Sequence, residues 1–149
     1  MKKLMSFLLL SLAVSTACAH DGVVGYWKTI DDETGEAKSI VRVYEYNEKI
    51  YGRVVKVLTD PTARAKLPGN PLIEGLDIIW DLVPDGARYE DGEILDPKKG
   101  KVYGCMMWRD GDNLIVRGKI AFLGRNQTWL PDDTIQETAP FVPHKPRLK

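Results

Sequence analysis

The chain reads as an all-β domain: an antiparallel, up-and-down barrel of eight strands with one short helix in its long loop. Three observations carry that expectation. Short runs rich in Val, Ile, Tyr and Trp recur along the chain, most of them punctuated by Gly, Pro, Asp or Asn turns. Almost no segment outside the long loop sustains a helical period. Sequential strands joined by short turns favour a meander, and closing the meander removes its exposed edges. A two-sheet sandwich is the structural alternative.

The elements follow in order. Val24 to Ile30 is short and β-rich. Asp31-Asp32-Glu33-Thr34-Gly35 is a polar turn, and Lys38 to Tyr46 after it is dense in Val, Ile and Tyr. Asn47-Glu48 joins this run to Lys49 to Leu58 as a tight hairpin. Thr59 to Pro71 is the long connection. Asp60 is placed to cap a helix begun by Pro61 and ended by Pro68-Gly69, and long loops of this kind often act as lids. Leu76 to Val83 alternates, with Leu76, Ile78, Trp80 and Leu82 on one face and Asp77 and Asp81 on the other, toward water. Ala87 to Leu95, Lys101 to Arg109, Asn113 to Ala121 and Arg125 to Leu130 complete the series, punctuated by glycine- and proline-bearing turns. The tail from Pro131 is polar and proline-rich, and is expected to be loosely held.

The first nineteen residues have the layout of a secretory signal: Lys2 and Lys3, an apolar run from Leu4 to Val14, then Ala17-Cys18-Ala19. The run is too short for a comfortable membrane span. Cleavage after Ala19 leaves residues 20–149 as one periplasmic or secreted domain of common size. A lipoprotein acylated at Cys18 is the lesser alternative, because Ser15 stands where such signals carry an aliphatic residue. Losing the two lysines moves the formal charge from zero to −2, leaving 19 basic against 21 acidic side chains. That balance points to no nucleic-acid or anionic-membrane partner. It also leaves Cys105 as the one cysteine, so no intrachain disulfide is expected.

The polar candidates are mostly structural. Asp96, followed by Pro97, has the chemistry of a turn cap. Asp77 and Asp81 are too far apart to share a proton. Arg117 alternates with Leu114, Val116 and Ile120 and is expected to point outward or to the barrel mouth. Asp31, Asp32 and Glu33 lack the further oxygen ligands of a calcium loop. Cys105 has only His20 and His144 as possible bases, both near the ends, and reads best as a small buried hydrophobe. Met106 and Met107 beside it point to opposite faces and cannot converge with it on one metal. An N-terminal His20 could chelate copper with its own amine, but a stable site needs a second histidine. No cofactor is expected.

Taken together, Gly25-Tyr26-Trp27, Asp32 to Gly35, Tyr51-Gly52, the I-x-D-P-x-x-G-x-x-Y segment from Ile94 to Tyr103, Leu114 to Gly118, and Gly124-Arg125 with Trp129 resemble the bacterial secreted family DUF2147. The similarity spans essentially the whole mature chain. It implies a barrel of the calycin group, which includes lipocalins and avidins, and it implies no activity. The chain departs from the family pattern in lacking a cysteine pair in the long loop, and in having Leu130 and Pro131 where relatives place a basic residue. Redox or metal chemistry at such a pair is thereby set aside. The resemblance also implies that Trp27 and Arg125 form a barrel-closing pair, a guanidinium stacked on an indole. Alternation places Arg125, Gln127 and Trp129 on one strand face.

A calycin-like barrel with aromatic walls suggests a module that binds a small apolar or amphipathic ligand. The lumen candidates are Tyr44, Trp80, Tyr103 and Trp108. A ligandless envelope interaction or stress-related protein with a packed interior is the rival. An enzyme is the least supported reading, since no acid–base or nucleophile constellation emerges.

Overall fold

The computed structural model describes residues 22–120, 123–137 and 140–149. The signal segment, with Cys18 and His20, lies outside the described residues. Eight strands run β1 (Gly25–Ile30), β2 (Ala37–Tyr46), β3 (Lys49–Val57), β4 (Asp77–Asp85), β5 (Arg88–Asp96), β6 (Lys101–Asp110), β7 (Asn113–Ile120) and β8 (Leu123–Pro131). Each pairs antiparallel with the next and β8 returns to β1, so the sheet closes into an up-and-down barrel. The closing seam is the shortest, registered at Trp27–Pro131 and Lys28–Leu130. Among the described residues no helix is long and apolar enough to cross a membrane.

Local chemistry explains the turns. Asn47 and Glu48 both adopt left-handed backbone (φ 45° and 65°), as a two-residue hairpin matched to strand twist requires. Asp96 accepts hydrogen bonds from the N–H groups of Lys98 and Lys99 (3.0 and 3.1 Å), so its carboxylate caps the β5–β6 turn.

Alternation then divides the barrel. Trp27, Val41, Val43, Ile50, Leu82, Met107 and Leu114 are buried and fill one end. Register puts Trp27 opposite Val41 and Arg109 opposite Leu114. Residues 22–24 pass across this end: Val23 is buried, and its carbonyl accepts from Trp27 Nε1 at 2.9 Å. The closing arginine is Arg109 on β6, its guanidinium 5.1 Å from the Trp27 ring. It donates to the carbonyls of Gly22 (3.1 Å) and Gly111 (3.0 and 3.2 Å). The expected partner, Arg125, does not reach Trp27. It lies at the beginning of β8, at the opposite end of the barrel, and binds Asp32 Oδ2 at 2.6 Å. Strand direction is the reason: β1 enters at the closed end, whereas β8 enters at the open one.

The long connection contains turns and one bridge, Arg64 to Leu72, and no helix. Asp60 does cap, but its carboxylate holds the N–H and hydroxyl of Thr62 in a local turn. Apart from single turns at Ala63 to Asp60 and Asn70 to Leu67, backbone groups bond across the loop or to the β5–β6 turn rather than four residues back. Ala65 N–H goes to Pro71, Lys66 N–H to Pro97 and Ile73 N–H to Ala63. Ala65 and Leu67 are buried while Leu72 is exposed. The loop rests on the β5–β6 turn so closely that a Cβ at Gly100, already at φ 66°, would lie 2.1 Å from the Lys66 carbonyl oxygen. It therefore packs over the open end as part of the core.

The tail is also docked. Phe141 packs on Tyr44, with ring centroids 5.2 Å apart, and the Val142 carbonyl accepts from Arg53 at 2.6 Å. The N–H of His144 donates to Asp77, and Lys145 lies 4.7 Å from the Trp80 ring. Asp77, expected to face water, is buried beneath it. Its carboxylate accepts from Arg53 Nε (2.9 Å) and from the Tyr44 hydroxyl (3.1 Å), which satisfies a charge that would otherwise be stranded. Burial, and next the Asp77 charge, push the Tyr44 hydroxyl well above its ordinary pKa.

Candidate functional site: a half-hollow lumen

Opposite the closed end, the barrel encloses a cavity of about 530 Å³ that opens at the mouth. Val116 and the buried Trp129 line its inner part. Val54, Val57, Ile78 and Ile94 contribute apolar surface from β3, β4 and β5, and Ala63 and Ile73 reach it from the long loop. Thr29, Ser39, Gln127 and Arg125 contribute polar groups from β1, β2 and β8. Gly118 leaves room, because a Cβ built there meets nothing closer than Ile94 Cγ2 at 3.9 Å.

The polar groups are held in defined orientations. Thr29 Oγ1 and Ser39 Oγ share a hydrogen bond of 2.7 Å, and Trp129 Nε1 donates to Gln127 Oε1 at 3.1 Å. The mouth is ringed by both signs of charge. Asp31 pairs with Lys38 and accepts from the N–H groups of Glu33 (2.8 Å) and Thr34 (3.0 Å). Lys38 first, and the turn amides after it, hold this carboxyl far below the usual carboxylate range. Asp32 pairs with the largely exposed Arg125. Among the described residues, Lys98 and Lys99 have no carboxylate within ion-pair distance.

Of the four residues expected to line the lumen, only Tyr103 does. Tyr44 lies outside the barrel under the tail. Trp80 is also outside, its Nε1 donating to Glu93 at 3.2 Å and its ring under Lys145. Trp108 faces outward against Arg88, 4.7 Å away. The β4 error has a local cause. Asp81 takes a left-handed backbone (φ 62°), and the β3–β4 register shifts at Gly52 and Arg53, so strict alternation fails there. Trp108 follows from phase alone, because Met107 and Arg109 occupy the inner face. Arg125, Gln127 and Trp129 do share one face, and all three line the cavity. Sequence reasoning missed Thr29 and Ser39. Counting by twos from Trp27 finds Thr29, and pairing it across the first hairpin finds Ser39.

Cys105 sits inside the barrel wall, opposite Gly92 and Gly118. Burial pushes its thiol up to about 12, so little thiolate exists near neutral pH. Among the described residues no three His, Cys, Asp or Glu side chains are grouped to hold a metal ion.

A solved structure shares this architecture: protein HP1028 from the human pathogen Helicobacter pylori, described as belonging to the lipocalin family. The two align with a TM-score of 0.63 at 18% identity, over 76% of this chain and 84% of that one. At that identity the likeness shows a lipocalin-like fold. Comparison with curated proteins returned no match. The family model for DUF2147, described as an uncharacterized protein conserved in bacteria, matches residues 25–130. Because that match runs from the start of β1 to Leu130 near the end of β8, the chain belongs to the DUF2147 family.

Proposed function

We propose that this protein is a periplasmic or secreted module that holds one small apolar or amphipathic molecule in the open half of its barrel. The observation that carries the reading is the asymmetry of the interior. One end is packed solid around Trp27 and Arg109, while the other keeps a cavity of about 530 Å³. A volume of this size falls within the roughly 300–1,000 Å³ typical of small-molecule pockets, and mixed walls suit an amphipathic guest. The secretory layout of the first nineteen residues supports a location outside the cytoplasm. The lipocalin-like fold is compatible with a lumenal ligand. The rival, a ligandless interaction module, requires a filled interior, and the cavity argues against it.

The test is titration of a hydrophobic fluorophore whose emission rises in apolar surroundings. Saturable enhancement at one site per chain is expected. No enhancement, with the protein folded, would remove the binding reading and favour the rival.

A further inference from the structure

The lumen has two chemically different walls. Strands β8, β1 and β2 are neighbours in the barrel and present Arg125, Gln127, Thr29 and Ser39. Strands β3, β4 and β5 lie across from them and present Val54, Val57, Ile78 and Ile94. Below the charged ring at the mouth, the uncharged polar groups of Gln127, Thr29 and Ser39 thus form a strip along one side. Outside the strip, Tyr103 and Thr59 add hydroxyls near the mouth.

The hydrogen bonds within the strip leave donors unused. Two hydroxyls meet at Thr29 and Ser39, and one proton bridges them, so the other O–H remains available. The indole N–H of Trp129 fixes the Gln127 amide by occupying its oxygen, which leaves the two Nε2 protons without a partner among the described residues. A simple chain amphiphile, polar only at its head, would lay methylenes along this strip and strand those donors. A rigid body with hydrogen-bonding groups along one face would satisfy them while its other face packed on valine and isoleucine.

Building on the binding reading above, we propose that the lumen selects facially amphipathic molecules, fused-ring or similarly flat skeletons with hydroxyls on one side. A matched pair of probes isolates the claim: taurocholate, with ring hydroxyls on one face, and its hydroxyl-free counterpart taurocholanate. They share a skeleton and an acidic tail. Both are used below their micelle-forming concentrations to displace a fluorophore bound to the full-length protein.

Taurocholate is expected to displace the fluorophore at about tenfold lower concentration, the size of roughly one or two net hydrogen bonds. Gln127→Leu should abolish or invert that preference. Since it also removes the Trp129 partner, the double variant Thr29→Val/Ser39→Ala, which keeps Gln127, is the second test and should reduce the preference on its own. Equal or tighter displacement by taurocholanate in the unmodified protein overturns the inference. So does a preference that survives in both variants. Fluorophore binding with no hydroxyl preference overturns this selectivity alone, whereas no fluorophore binding at all overturns the lumenal reading and this one with it.

Discussion

Gly118→Phe is the substitution on which a hollow barrel and a filled one disagree in sign. Gly118 faces the cavity from β7, and a Cβ there finds its nearest neighbour, Ile94 Cγ2, at ordinary van der Waals distance, 3.9 Å. A phenyl ring therefore enters empty space. Burying it stabilises by roughly 1.5–3 kcal/mol. Replacing glycine in a strand adds about 1 kcal/mol, and lost side-chain freedom takes back less than about 1 kcal/mol. The net gain of about 2 kcal/mol should raise the melting temperature by roughly 5–10 °C in a domain of this size. The same ring occupies ligand space, so fluorophore affinity should fall at least about tenfold. Gly92→Ala is the control: its Cβ would lie 2.5 Å from Leu82 Cγ and 2.8 Å from the Trp80 carbonyl oxygen, and overpacking there should lower stability by about 1–3 kcal/mol. The assay is a thermal melt and a fluorophore titration on all three proteins. A melt lowered as much by Gly118→Phe as by Gly92→Ala would mean that the lumen is packed and would refute the hollow interior.

Four further substitutions test contacts elsewhere in the barrel. Arg109→Ala removes the stack on Trp27 and the bonds to Gly22 and Gly111, and should destabilise by about 2–3 kcal/mol. Arg125→Ala removes an exposed ion pair and should change a melt by little; equal effects would contradict the assignment of the closing arginine. Cys105 should label slowly with thiol reagents in the native state and quickly once unfolded. Because its folded pKa is raised from 9.0 to about 12, it contributes stability that is present below pH 9 and lost as pH rises toward 12. The stability difference between unmodified protein and Cys105→Ala should therefore fall over that window, and rapid native labelling at neutral pH would refute its burial. Phe141→Ala should release the tail, seen as faster amide exchange at His144; unchanged protection would show that Phe141 does not anchor it.

What was legible in the sequence followed from period and turn chemistry. Glycine, proline, Asp and Asn turns marked most reversals, so the eight strands and their order could be read; between β7 and β8 no such residue stands, and β8 begins at Leu123 rather than at the expected Arg125. The single face of Arg125, Gln127 and Trp129 followed from alternation alone. What failed depended on registers and contacts that no local pattern encodes. Trp80 and Trp108 are the right residue types for a pocket wall, but a left-handed Asp81 and the phase of Met107 and Arg109 decide which way they point. Pro61 after Asp60 is a helix-start signal, yet the loop's amides find acceptors on Pro71 and Pro97 and no helix forms. The tail looked loose because its composition is polar. Its anchors are a buried carboxylate on β4 and an aromatic ring on β2, distant in sequence.

That the open half of the barrel carries a guest, as proposed, is tested by native mass spectrometry of protein purified gently from its native cells. The prediction is a folded species heavier than the bare polypeptide by one small molecule, with that extra mass missing from Gly118→Phe purified in the same way. Bare polypeptide mass for the unmodified protein, together with no uptake of an added hydrophobic probe, would contradict the claim.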